Sequence, residues 1–217
     1  MAANNFAPLA SPSEVAGLAG LLAAPPAADG GVTIIEPPDE RSVGVFAFTA
    51  HHVISADVDP DWVRSVLPAD DLSAPLNPPF LEALAASTGR MVNNIDAVFV
   101  AAPGPHTELE LSLAGKPNHA RVDRAHEHRT GVQVWVADGG VIILGRGVAG
   151  RLEVAVEVDE PVRGRGLGRA LFAAARGLVP AGQSLWAQVA PGNAASMRAV
   201  LAAGFRPIGA EALLVAG

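Results

Sequence analysis

The densest chemistry in this 217-residue chain lies in one short stretch, Arg163-Gly164-Arg165-Gly166-Leu167-Gly168-Arg169. Its glycines let the backbone approach an anion closely and take positive φ. A helix opening here has first amides without internal partners and a dipole that adds positive potential, which suits phosphate. Arg163, Arg165 and Arg169 can add charge and paired hydrogen bonds. Other phosphate loops fit less well. A dinucleotide fingerprint wants glycine where Arg169 stands, and the Gly-Lys-Ser/Thr of a Walker loop does not occur. Taken alone, the stretch reads equally as a tight turn from strand to helix.

Two carboxylates precede it, Glu153 and Glu157. Either could serve as a general base. Four strand residues separate their Cα atoms by roughly 13 Å, so both cannot touch one amine. The alternative for each is a solvated or salt-bridged strand residue, with Arg146 or Arg151 as partner. Five of the six histidines form two groups: His51-His52 after an apolar run, and His119 with His126-Glu127-His128. Neighbouring strand residues point to opposite faces, so His51 and His52 are poorly placed to chelate a metal. They read as surface or hydrogen-bonded histidines or as acceptor-pocket residues, and no metal is expected. Asp57 and Asp59 nearby could hold a cation or be solvated, and Trp135 and Trp186 read as core.

The elements that must position these residues follow from the pattern. Alternation of Leu152, Val154, Val156 and Val158 with Glu153, Ala155 and Glu157 marks a strand over 151–158. A helix follows the glycine bend, with Leu167, Leu171, Ala174, Ala175 and Leu178 on one side, and Pro180 ends it. Ser184–Val189 is a strand. Asn193 is a helix cap, Met197, Val200 and Leu201 point inward, and Gly204 stops the helix before Phe205. Upstream, 132–136 and 141–144 form a hairpin around Asp138-Gly139-Gly140. Strands are expected at 32–35, 43–49, 95–101 and 211–215, and helices at 13–22, 61–67 and 80–87. Residues 103–129 show no clear pattern. The stretch 24–31 reads as a linker.

The chain carries 15 basic and 22 acidic residues, a formal charge of −7, and of the basic residues only Lys116 is a lysine. An acidic surface disfavours nucleic acid as a partner and suits a cationic acceptor. Absence of cysteine excludes disulfides, thiolate metal sites and a thiol nucleophile. No signal peptide or membrane span is read in the opening residues, so the expectation is a cytoplasmic protein without membrane contact.

Arg163-Gly-Arg-Gly166-Leu-Gly168 resembles the Q/R-x-x-G-x-G/A cofactor loop of the Gcn5-related N-acetyltransferase (GNAT) family. Asn193-Ala-Ala-Ser196 through Gly204-Phe205 resembles that family's second signature, and Val158 stands where it has a strand valine. The match covers roughly 132–215. It implies an α/β (α+β) fold: a mixed, mostly antiparallel central sheet flanked by helices and splayed at the cofactor site. It divides the chain into a flexible segment 1–30, a divergent half 31–129 on the acceptor side, and an acyl-CoA-binding core 130–217. The half 31–129 could instead be a degenerate second copy of the fold.

The implied reaction is direct attack by an amine, of a small molecule or a peptide, on acetyl-CoA as cosubstrate. By this resemblance, strand groups near Val156 and Val158 pair with the pantetheine arm. The amides of 163–169 hold the diphosphate, and Asn193 lies near the thiol unless it is only a cap. Glu153 or Glu157 supplies the base, Ser196 or water protonates the thiolate, and His51 and His52 face the acceptor. A homodimer is compatible with the fold. Two positions depart from the family: Val200 stands where many members carry a tyrosine acid, and Gln188 where some carry a glutamate. These losses keep open an inactive acyl-CoA-binding regulatory module, and the histidines a metal hydrolase.

Overall fold

A computed structural model describes residues 17–68 and 71–217. Residues 1–16 of the flexible segment expected over 1–30, and with them the start of the helix expected at 13–22, lie outside them. The chain forms α1 (Leu18–Ala23), β1 (Val32–Ile35), β2 (Gly44–Phe48), β3 (His51–Ser55), α2 (Pro60–Val66), α3 (Pro78–Thr88) and β4 (Arg90–Ala101). It continues with β5 (Ser112–Ala114), α4 (Ala120–His128), β6 (Thr130–Ala137), β7 (Gly140–Arg146), β8 (Leu152–Val158), α5 (Leu167–Gly177), β9 (Leu185–Val189), α6 (Ala194–Ala202) and β10 (Arg206–Ala216). The strands form a mixed, mostly antiparallel arrangement flanked by helices. Two compact units share the chain: Val98–Pro207 is one, and residues 17–97 with Ile208–Gly217 are the other.

In the second unit the strand order is β1-β3-β2-β10. The pair β1/β3 is parallel, whereas β2/β3 and β2/β10 are antiparallel. Val45, Ile54, Phe80, Leu84 and Leu214 close its core. α3 ends at Gly89, whose φ of 64° supplies the left-handed cap. β3 is a strand that sequence reading missed. It follows β2 through a two-residue turn in which Ala50, rather than glycine, takes a positive φ of 47°.

In the unit Val98–Pro207 the order is β9-β8-β7-β6-β5. The expected hairpin forms, with Ala137 opposite Gly140 and Gly139 at φ 79°. The patternless region resolves into β5 and α4. α4 buries only Val122 and Ala125, spaced by three, against Val134 and Ile143. α5 covers the other face, where a Cβ on Gly140 would meet Leu171 Cδ1 at 2.9 Å. Phe172 and Phe205 meet edge to face at 5.6 Å. In α6, Val200 is buried as expected but Leu201 is 46% exposed, because one further residue turns about 100° round the helix.

Candidate functional site

The site is built on β8. Asp159 N–H donates to Gly139 C=O, and Gly147 N–H to Arg151 C=O, at either end of the antiparallel β7/β8 ladder. Hydrogen-bonded pairs alternate in such a ladder. Main-chain groups of Glu153, Ala155 and Glu157 therefore bond β7, and those of Val154, Val156 and Val158 point to the opposite edge. β9 lies along that edge in parallel, but its pairing is confined to Leu152 with Leu185 and Glu153 with Trp186. Beyond Glu153 the strands diverge, and the outward main-chain groups of Val156 and Val158 face the opening.

The bend after β8 carries two positive-φ glycines, Gly164 at 77° and Gly166 at 89°. A Cβ at either would meet nothing within 4 Å, so conformation rather than crowding calls for glycine there. Gly166 precedes α5 without a side-chain cap, and the first helical bond runs from Ala170 N–H to Gly166 C=O. The amides of Leu167, Gly168 and Arg169 thus lack acceptors within the helix. Arg165 and Arg169 are exposed. The Arg163 guanidinium turns back over β8: Nε donates to Val158 C=O at 3.0 Å and Nη2 to Glu157 Oε1 at 3.1 Å.

The two carboxylates differ. Glu153 is buried between Arg129 Nε at 2.9 Å and Arg151 Nε at 2.8 Å, and its Oε1 also accepts from Val148 N–H. Burial raises its pKa, but the charges of Arg151 and Arg129, with hydrogen bonds from Arg151 and Gln188, hold it at about 2. Arg151 also stacks over Trp186, 5.0 Å from the ring centroid. Arg146 turns elsewhere, to Gly150 C=O and Gln183. Glu157 is more open and takes Arg121 Nε of α4 at 2.6 Å on its other oxygen. It borders a cavity of about 570 Å³ lined also by His119, Arg121, Arg124, Asp159 and Arg163. Sequence reading missed Arg121 and Arg129, because both lie in the region whose helix went unrecognised. The spacing of Val122 and Ala125 was the available signal.

Asn193 caps α6, its Oδ1 accepting from Ser196 N–H at 3.0 Å. Ser196 is half-buried. His51 and His52 belong to the other unit. There the buried His51 joins Asp29 Oδ1 at Nδ1, 2.7 Å, and Thr33 Oγ1 at Nε2, 2.9 Å. Burial lowers the His52 pKa, and the charge of His51 adds to this. Asp59 caps α2 through Asp61 N–H. Among the described residues no three His, Cys, Asp or Glu side chains group to hold a metal, and no helix is long and apolar enough to cross a membrane.

No family model and no curated protein matches the chain. Solved structures with a likeness include a putative GNAT-family acetyltransferase of Novosphingobium aromaticivorans. Its identity is 17% and its TM-score 0.42, over 58% of this chain and 67% of that one. A GNAT-family acetyltransferase of Colwellia psychrerythraea is 11% identical at TM-score 0.43, covering 80% and 81%. A GCN5-related N-acetyltransferase of Kribbella flavida is 16% identical at TM-score 0.38, and this chain spans 63% of its length. The mixed, mostly antiparallel strand arrangement with flanking helices is the fold class that the resemblance to the GNAT family implies.

Proposed function

We propose that the chain is an acyl-CoA-dependent N-acetyltransferase of the GNAT kind, passing an acetyl group from acetyl-CoA to an acceptor amine. The observation that carries this is the end of the β8/β9 ladder at Glu153–Trp186, next to a helix with unpaired first amides. An extended pantetheine arm can add to the β8 edge as a strand would, bonding Val156 and Val158, while the amides of 167–169 and the bend take the diphosphate. A thioester carbonyl alongside can accept from the amide near Val158, which stabilises the charge that develops on its oxygen. The amine forms a C–N bond, the C–S bond breaks, and CoA leaves as thiolate. With a thiol pKa near the reference ~8.5 it needs little help in leaving, and Ser196 or water can return the proton.

Glu153 is a poor candidate for the base. A carboxyl held at about 2 by two arginines takes up protons far too weakly near neutral pH. Glu157 also pairs with two arginines, but at 27% exposure against 5%, and on the cavity lining, it is the better placed of the pair. The lock on Glu153, with a buried Val200 in the family's tyrosine position, supports a second reading: a CoA binder with weak or no turnover.

Calorimetry with CoA and acetyl-CoA tests the shared claim. Intact, folded protein that ignores both at millimolar concentration would refute it. Thioester loss over a panel of amines then separates enzyme from binder.

A further inference from the structure

We propose that Arg121 and Arg163, fixed on the two oxygens of Glu157, form a binding site for one oxyanion group, a carboxylate or a phosphate. The two guanidiniums come from different elements, α4 and the bend after β8. Arg121 uses Nε at 2.6 Å, and Arg163 uses Nη2 at 3.1 Å for Glu157 and Nε for Val158 C=O. A guanidinium has five N–H donors, so each arginine retains several after these bonds. One carboxylate shared by two guanidiniums leaves that trio with a charge of +1. Both side chains border the cavity of about 570 Å³, large enough for a small ligand, with His119 and Arg124 on the same lining. A carboxylate holding two arginines in one place pre-organises them for planar, paired hydrogen bonds, which suit carboxylate and phosphate.

Asp159 and Glu160 also line the cavity and offset Arg124 and the net charge of the trio. The near balance rejects a polyanion and suits a single oxyanion on a ligand that carries positive charge elsewhere or continues out of the cavity. Within the acyltransferase reading, on which the ligand's identity rests, the group belongs either to the cosubstrate, as its ribose phosphate, or to the acceptor, as an acidic amine.

Arg121→Gln tests the site, because Arg121 is 46% exposed in its side chain and its loss leaves the core intact. Calorimetry compares CoA with dephospho-CoA, and steady-state kinetics compare amino acids with their decarboxylated amines. A loss of about tenfold for CoA but not dephospho-CoA places the cosubstrate phosphate there. A KM raised about tenfold for amino acids but not for their decarboxylated partners places the acceptor there. An equal effect on both members of each pair, or none, overturns the proposal. If the unaltered protein binds no CoA, the acyltransferase reading fails by itself. Inorganic phosphate is then the probe: a shift of the Arg121 Nε–H resonance, with binding weakened in Arg121→Gln, keeps the site, and no shift removes it.

Discussion

Replacing Glu153 by glutamine separates a structural carboxylate from a catalytic one. Glu153, Arg129 and Arg151 are all buried or nearly so, with 5%, 13% and 4% of their side chains exposed. The amide removes the carboxylate charge that both buried guanidiniums face, a loss of about 3–5 kcal/mol. The pKa gives an independent figure. A fall from 4.5 to about 2 is about 2.5 decades, or about 3–4 kcal/mol at ~1.4 kcal/mol per decade. Because the folded-state pKa is the lower one, this stability is complete above about pH 4.5 and disappears as pH falls towards 2. At roughly 2–4 °C per kcal/mol for a chain of this size, Glu153→Gln should lower Tm by about 6–20 °C at neutral pH. Its Tm should also lose the part of the acid decline between pH 4.5 and 2 that Glu153 supplies. Calorimetric scans across pH measure both. A variant with unaltered Tm and abolished turnover would refute the structural role. So would a Glu153 carboxyl that titrates near 4.5 by NMR in the unaltered protein.

Gly166→Ala must hold φ near 89°, a cost of about 1–2 kcal/mol with no clash, so CoA affinity by calorimetry should fall about tenfold. Gly147→Ala places a methyl group against the Glu153 carboxylate and should cost about 1–3 kcal/mol by thermal melting. His51→Gln removes the link between Asp29 and Thr33, a loss of about 1–3 kcal/mol by the same assay. His51 and the Gly31 amide hold the Asp29 carboxyl below its usual 3.8, so that bond stabilises above this pH and fades as acid titrates it. In His51→Gln the NMR titration midpoint of Asp29 should move up towards 3.8.

The strand β8, its bend, α5 and the start and stop of α6 were legible because each depends on local chemistry. Alternating valines, positive-φ glycines, the Asn193 cap and Gly204 at φ 84° all act within a few residues. Partners distant in sequence were not legible. Glu153 reads as a candidate base until Arg129, 24 residues earlier, is seen to fold against it. β3 was hidden because it opens on two histidines after a turn whose positive φ falls to Ala50. α4 was hidden because its cap is His119, whose Nδ1 accepts from Arg121 N–H, and its apolar face has two buried residues. Asp29 sits in a stretch read as linker, yet it anchors the buried imidazole of His51, 22 residues later.

The last ten residues, Ile208–Gly217, fold with residues from the first half, where β10 lies beside β2 with Glu211 opposite Phe46. That unit is therefore assembled from two stretches of chain with the whole of the other unit between them. A ribosome makes Val98–Pro207 in between, so Val45 and Phe46 wait for their β10 neighbour until that whole unit has emerged. No single cut can lift this unit out whole, and losing Ala210–Leu213 would bare the β2 edge.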